Sequence, residues 1–220
     1  MTKAEREALE LERLRVMKEF DREAAREFFG DGCGSDTMVC GIDEVGRGPL
    51  AGPVCAAAVI LPPDFDVPGI NDSKKVSEKR REALYEEITE KALAWSVALV
   101  DNTVIDEINI LEATKRAMKL AVSKLEKRPD LLIIDAVKLE NLEIPQKSIV
   151  KGDEKSLAVA AASIVAKVTR DRLMVEYSEK WPGYGFEKNK GYGTKAHYEG
   201  IEKQGITPVH RLSYLKNIRI

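Results

Sequence analysis

The sequence predicts an α/β or α+β domain built on a mixed sheet, and three observations carry that expectation. Three strand-like stretches come early, at 38–43, 54–61 and 95–100. Helical and strand patterns then alternate, with the most apolar strand, Leu131-Leu132-Ile133-Ile134-Asp135, following a long periodic segment. An alanine-rich helix, 155–177, closes the series. Early strands followed by helix–strand alternation indicate a mixed sheet with helical cover. At 220 residues, 44% hydrophobic and 33% charged, the chain fits one main domain plus an appendage.

Residues 3–29 read as one charged amphipathic helix, with Leu11, Leu14, Met17, Phe20, Ala24 and Phe28 at helical steps. Gly30 to Asp36 reads as a linker, so 1–38 is an extension and 39–220 the main domain, ending in a helical segment over about 183–220. After strand 54–61 and the turn at Pro62-Pro63, the loop Asn71-Asp72-Ser73-Lys74-Lys75 leads into a helix that Ser77 is placed to cap. Its inner face is Ala83, Leu84, Ile88 and Ala92. One helix is expected from about 104 to 126, with Leu111, Thr114, Met118, Ala121 and Leu125 inward. Pro129 restarts the chain into strand 131–135, and 147–150 is a fifth, shorter strand. The helix over 155–177 is opened by Asp153 and broken by Pro182-Gly183. No repeat occurs beyond an echo of Gly-Tyr-Gly at 183–185 and 191–193.

Chemistry concentrates in Gly41-Ile42-Asp43-Glu44-Val45-Gly46-Arg47-Gly48-Pro49. Adjacent acids at a strand end raise each other's pKa by like-charge proximity and desolvation unless a cation sits between them. Hard divalent cations favour carboxylate oxygens together with substrate phosphates. Gly46 and Gly48 strip side chains from both sides of Arg47, leaving room for a sugar-phosphate strand. The competing reading is a solvated strand end followed by a glycine turn. A dinucleotide fingerprint is excluded, because Pro49, Pro53 and a buried-strand pattern follow where a helix is required.

Asp135 ends the most apolar strand, and Asp153 stands at the mouth of the helix after the next one. Functional groups in open α/β sheets collect at strand ends, so Asp43, Glu44, Asp135 and Asp153 are candidates for one crevice. Asp153 is equally well read as a helix N-cap; Asp135 has a strand-terminating turn residue as its alternative, against which an acid ending an apolar buried strand favours function. Four acids around divalent cations fit in-line phosphoryl displacement by an activated water. No serine-nucleophile, zinc-protease or P-loop motif competes. His197 and His210, the two histidines, read as structural or backbone-contacting.

Net charge is −2, but from Val165 onward eleven Lys/Arg face six Asp/Glu, so a basic C-terminal third complements an acidic remainder. Lys188, Lys190 and Lys195 are its candidate phosphate contacts. The acid-rich N-terminus lacks a secretory apolar core, and no apolar run approaches the ~20 residues that span a bilayer. With Cys33, Cys40 and Cys55 lacking metal spacing, the expectation is a cytoplasmic protein with reduced thiols, monomeric and without a membrane partner.

The stretches GIDEVGRGPLAGPV (41–54), NDSKKVSEKRREALY (71–85), LLIIDA (131–136), KGDEKSLAVAAASIVAKVTRDR (151–172), KGYGTKAHYEGI (190–201) and ITPVHR (206–211) resemble those of ribonuclease HII, the type 2 ribonuclease H family. The resemblance implies a ribonuclease H-like mixed five-stranded sheet flanked by helices, with a helical C-terminal extension. It implies Asp43, Glu44, Asp135 and Asp153 as catalytic acids holding Mg²⁺ or Mn²⁺. It further implies that Gly46, Arg47 and Gly48 read the junction between a ribonucleotide and the DNA that follows, with Tyr192 stacked on the next sugar. Ser73 and Lys74 enter as substrate contacts on the matching 71–85 block. A glycine-rich turn offers backbone amides to a 2′-hydroxyl, the group that separates RNA from DNA.

Arg47 and the single-helix N-terminus resemble this family more than ribonuclease HIII, which usually carries Gly-Lys-Gly and a larger N-terminal domain. The expected substrates are RNA–DNA hybrids and duplex DNA containing ribonucleotides, cut by a metal-dependent endonuclease. A non-catalytic hybrid binder and a general DNA nuclease of the same fold are the other classes. The resemblance leaves the role of residues 1–38 open between clamping substrate, packing on the core and neither.

Overall fold

The computed structural model describes residues 2–34, 36–73 and 76–216. The extension forms α1 (Lys3–Phe29), which is opened by a capping box in which Thr2 and Glu5 bond each other's backbone amides. A short 3₁₀ turn, Gly30–Gly32, leads to β1 (Val39–Val45), followed by β2 (Val54–Ile60), α2 (Glu78–Lys91) and β3 (Ala94–Val100). Then come α3 (Asn102–Ile108), α4 (Ile110–Ser123), β4 (Leu131–Asp135) and β5 (Gln146–Ile149). The C-terminal part holds α5 (Gly152–Lys155), α6 (Leu157–Lys180), α7 (Phe186–Asn189), α8 (Lys195–Gln204) and α9 (Leu212–Leu215).

The strands form one five-stranded sheet in the order β3-β2-β1-β4-β5. β1 pairs antiparallel with β2 and parallel with β4, so it is the centre of a mixed sheet, as the sequence predicted. Period-two alternation sends Cys40 and Ile42 to one face, beneath Ala117, Met118 and Ala121 of α4. Cys55, Ala57 and Val59 of β2 face the other way, against Leu84 and Ile88 of α2 and the alanine-rich stripe of α6. The small residues of that stripe, Ala160, Ala161 and Ala162, are fully buried there.

Three local expectations change. The single helix over 104–126 is two, because Asn109 adopts φ 69° and its side chain accepts from the amides of Leu111 and Glu112, starting α4 afresh. Leu111 consequently turns outward, 41% exposed. Asp153 does not open the long helix: it lies inside the one-turn α5, and Ser156 caps α6 by accepting from Val159 N–H at 3.2 Å. On α2, Leu84 and Ile88 are buried but Ala83 is exposed, and Ser77 occupies the N-cap position without a side-chain cap bond.

α1 packs on the core through Leu14, Met17, Ala24 and Ala25, while Leu11 and Phe28 of the expected stripe face solvent. Its anchor is Asp21, whose Oδ2 accepts from Ala158 N–H at 3.0 Å in the first turn of α6. Carboxylates are favoured at helix N-termini, but burial outweighs those bonds and pushes Asp21 up to about 7. The carboxyl therefore costs no stability below its unfolded value near 3.8, and its cost is fully present above about pH 7. Asp21→Asn should gain melting temperature relative to wild type as pH rises from 4 to 8. Asp21→Ala should lose about 1 kcal/mol at pH 4 by stranding the Ala158 amide. It should also speed trypsin cleavage between Arg13 and Arg26. Thermal melts across pH and timed proteolysis check both.

Candidate active site

β1 runs on to Val45, so Asp43 and Glu44 sit within the strand and leave it on opposite faces. Asp43 is buried, 8% exposed, on the α6 side of the sheet, and its Oδ1 accepts from Glu44 N–H at 2.8 Å. Glu44 reaches Arg47 across an ion pair of 3.5 Å. Because Ile42 pairs in register with Ile134 on the parallel neighbour, Asp43 and Asp135 are the next residues on adjacent strands. Their backbones stand about 4.8 Å apart with side chains on one face. Asp135 Oδ1 accepts from Gly152 N–H at 2.9 Å, which draws α5 and the buried Asp153 to the same sheet end.

Electrostatics registers that convergence. Burial is the first cause lifting Asp43 well above the ordinary carboxylate range, and the charges of Glu44, Asp135 and Asp153 lift it further. Backbone strain accompanies it: Ala136, directly after Asp135, has φ 52°, and Lys151, two residues before Asp153, has φ 58°. Left-handed geometry at such residues costs on the order of 1–3 kcal/mol and concentrates at functional sites. Among the described residues no three acidic, histidine or cysteine side chains stand close enough to form a closed ligand set. One oxygen each of Asp43 and Asp135 is turned to a backbone amide. The donor set itself, hard carboxylate oxygens in excess of any compensating charge on Asp43, suits a divalent cation.

The loop after β1 rests on two guanidinium groups with no exposed surface, those of Arg170 and Arg211. Arg170 donates to the carbonyls of Pro53 (2.9 Å), Ala51 (3.2 Å) and Lys190 (2.8 Å). Arg211 donates to those of Gly46 (2.5 Å), Arg47 (2.9 Å) and Gly52 (2.9 Å from Nε). Neither arginine was singled out from sequence. The signal was available for Arg170, which lies with Ala166 and Met174 at four-residue steps on a buried helical stripe, where a cation is out of place.

This bracing corrects one expectation. Gly46 has φ 95°, and a Cβ there would run into Arg170 and lie 2.9 Å from the Pro53 carbonyl, so its missing side chain makes room for the interior and not for substrate. Gly48 is different: a Cβ there would meet only Tyr192 Cε1, at 3.4 Å. The structure thus brings Tyr192, 43% exposed, beside the Gly46–Gly48 turn. The echo triplet does the reverse, since Tyr184 is buried against Phe186.

The remaining sequence-derived residues are dispersed. Lys195 is almost fully exposed on α8 and Lys188 is exposed on α7. Lys190 is tied down, donating to the Glu187 carbonyl at 2.6 Å with 11% of its side chain exposed. Ser73 is buried and its carbonyl accepts from Arg81, whereas Lys74 lies outside the described residues. The histidines contact backbone, as expected, and also each other.

Charge crowding at Asp43 has a measurable cost. Its carboxyl costs little stability near pH 3.8 and progressively more as pH rises through the raised folded value. In chelator at pH 8, Asp43→Asn should raise the melting temperature by at least about 3 °C, the gain vanishing toward pH 4. A destabilised variant at pH 8 would show that Asp43 is not electrostatically frustrated.

A family model described as Ribonuclease HII matches residues 40–217. A protein named ribonuclease HII from Ruminiclostridium cellulolyticum is 54% identical over 208 residues, covering 94% of this chain and 79% of the relative. Another of that name, from Ligilactobacillus salivarius, is 61% identical over 176 residues, covering 80% and 69%. Among solved structures, ribonuclease H2 from Pyrococcus horikoshii OT3 superimposes with a TM-score of 0.68 at 27% identity, covering 80% of this chain and 93% of that one.

Proposed function

The chain belongs to the ribonuclease HII family and is a ribonuclease H acting on the RNA of RNA–DNA hybrids, and we propose that it also cuts 5′ of single ribonucleotides embedded in duplex DNA. The products are a 5′-phosphate and a 3′-hydroxyl, and the role is removal of misincorporated ribonucleotides and primer remnants. It works in the cytoplasm as a monomer. The observation that carries the reading is the buried Asp43 crowded by three further carboxylates at one sheet end.

In this reading Asp43, Glu44, Asp135 and Asp153 hold Mg²⁺ or Mn²⁺. When bound, such cations lower the pKa of water and neutralise charge developing on a phosphodiester. The protein's share is to fix the carboxylates: the Gly152 amide orients Asp135, and the Glu44 amide orients Asp43. Arg47, half-exposed beside Glu44, offers its guanidinium to the phosphate at the junction. Because Arg170 and Arg211 draw carbonyls of the 46–53 loop inward, the outer face of the turn is left to amides suited to a 2′-hydroxyl. Tyr192 supplies a flat surface for the following deoxyribose, and Lys188, Lys190 and Lys195 are proposed phosphate contacts, with Ser73 and Lys74 kept as substrate contacts on the sequence resemblance alone. The tethering of Lys190 makes Lys188 and Lys195 the more mobile phosphate partners.

Asp135→Asn should lower turnover by about 10³-fold, because losing a charge-stabilising ligand removes several kcal/mol from the transition state. Hybrid affinity should stay within a fewfold of wild type. Asp153→Ser should raise the Mg²⁺ concentration needed for half-maximal rate; a wild-type metal curve would remove Asp153 from the ligand set. Cleavage of a duplex holding one ribonucleotide, assayed against Mg²⁺, reads both. An all-DNA duplex should stay uncut, and a protein that binds hybrid but never cleaves it would be the binder of the alternative reading.

Tyr192→Ala should damage cleavage at a lone ribonucleotide more than cleavage within a long hybrid, since a single ribonucleotide offers one productive register and a hybrid offers many. Equal losses on the two substrates would assign Tyr192 to general packing.

A further inference from the structure

Behind Tyr192 the two histidines form a chain of hydrogen bonds that the catalytic reading does not use. Thr207 N–H donates to His210 Nδ1 at 2.9 Å, and the Thr207 hydroxyl approaches the same nitrogen at 2.8 Å. His210 Nε2 and His197 Nε2 are 3.0 Å apart, and His197 Nδ1 is 3.0 Å from the Tyr192 carbonyl. We propose that His197 and His210 are positioning residues, a one-way relay of neutral imidazoles that fixes the Tyr192 backbone and thereby its ring beside Gly48. The proposal deepens the junction-reading role of Tyr192 and rests on it.

The two ends of the chain determine every proton in it. A backbone amide can only donate, so His210 Nδ1 must be bare; a carbonyl can only accept, so His197 Nδ1 must carry hydrogen. A neutral imidazole has one N–H, which places the His210 proton on Nε2 and makes the bare His197 Nε2 its acceptor. One pair of tautomers satisfies all three links, and an imidazolium at either position sets N–H against N–H. The surroundings agree: both rings are buried against Tyr184 and Phe186, at centroid distances of 5.2–6.3 Å. Burial lowers both histidines, and His197 helps to push His210 to about 4.

The relay joins two parts of the candidate site. His210 bridges Ala51 and precedes Arg211, which holds the Gly46–Gly52 loop from inside. His197 stands in the first turn of α8, and Tyr192 lies just before that helix. The Tyr192 carbonyl also accepts from Thr194 N–H at 2.8 Å, and its own N–H donates to Asn189 at 2.9 Å. With its ring exposed, Tyr192 is held chiefly through its backbone, so the direction of its carbonyl sets where the ring stands.

The test compares kcat/KM on a duplex with one ribonucleotide and on a long RNA–DNA hybrid, for wild type, Tyr192→Ala, His197→Phe, His197→Asn and the Tyr192→Ala/His197→Phe double variant. His197→Phe keeps a planar aromatic ring, slightly larger, and removes the donor; it should lower the single-ribonucleotide value about tenfold more than the hybrid value. His197→Asn, whose side-chain amide can still donate to the Tyr192 carbonyl, should recover most of that difference. The double variant should be no worse than Tyr192→Ala alone.

Equal losses of His197→Phe on both substrates, or additive losses in the double variant, overturn the relay while leaving Tyr192 in place. Equal losses of Tyr192→Ala on both substrates overturn the junction role itself, and the relay with it. An independent readout needs no variant: ¹H–¹⁵N correlation spectra of the wild-type imidazoles at neutral pH. His210 should be protonated on Nε2 only and His197 on Nδ1 only. Any other tautomer, or an imidazolium at either ring, refutes the proposal even if a variant fails to fold.

Discussion

Two positive charges buried without a carboxylate partner among the described ion pairs hold the working end of this molecule together. Moving an unpaired guanidinium out of water is expensive unless its donors are all met. Arg170 and Arg211 meet theirs with main-chain carbonyls from the 46–53 loop and from Lys190. Burial lowers both, Arg211 to about 10, and a guanidinium is not deprotonated in proteins at neutral pH. Carbonyl dipoles drawn inward around a cation leave a short loop little conformational freedom. The turn at Gly46–Gly48 therefore keeps one shape although it carries no regular secondary structure.

A second unfavourable arrangement lies beside the first. At the end of β1 and β4, carboxylates crowd around the buried Asp43. The two tensions have opposite sign: a cationic layer under the loop and an anionic cluster at the strand ends. A folded chain tolerates both because the sheet and α6 hold them in place, with the alanine stripe allowing close approach of helix to sheet. The carbonyls of the loop offset the first; in the function proposed above, a divalent cation would offset the second.

The extension now has a place. α1 lies on the core and, through Asp21, reaches Ala158 in the first turn of α6, five residues after Asp153. That leaves packing on the core as the observed arrangement among the roles left open by sequence.

The sequence by itself determined what depends on local pattern. Strand-like and apolar stretches located all five strands, and the Asp43-Glu44, Asp135 and Asp153 acids could be named because each reads from sequence as a strand-end or helix-mouth residue. Its errors were also local. Asn109 splits a helix by taking a positive φ, which a count of apolar positions cannot register. Asp153 was paired with the wrong helix because Ser156 is the better-placed cap. Tertiary structure alone decided which of two identical Gly-Tyr-Gly triplets is exposed, that Gly46 makes room for Arg170, and that His197 and His210, thirteen residues apart, meet through their Nε2 atoms. Those facts arise from contacts between residues distant in the chain, and burial, the quantity that sets their energies, belongs to the packed molecule and not to any stretch of it.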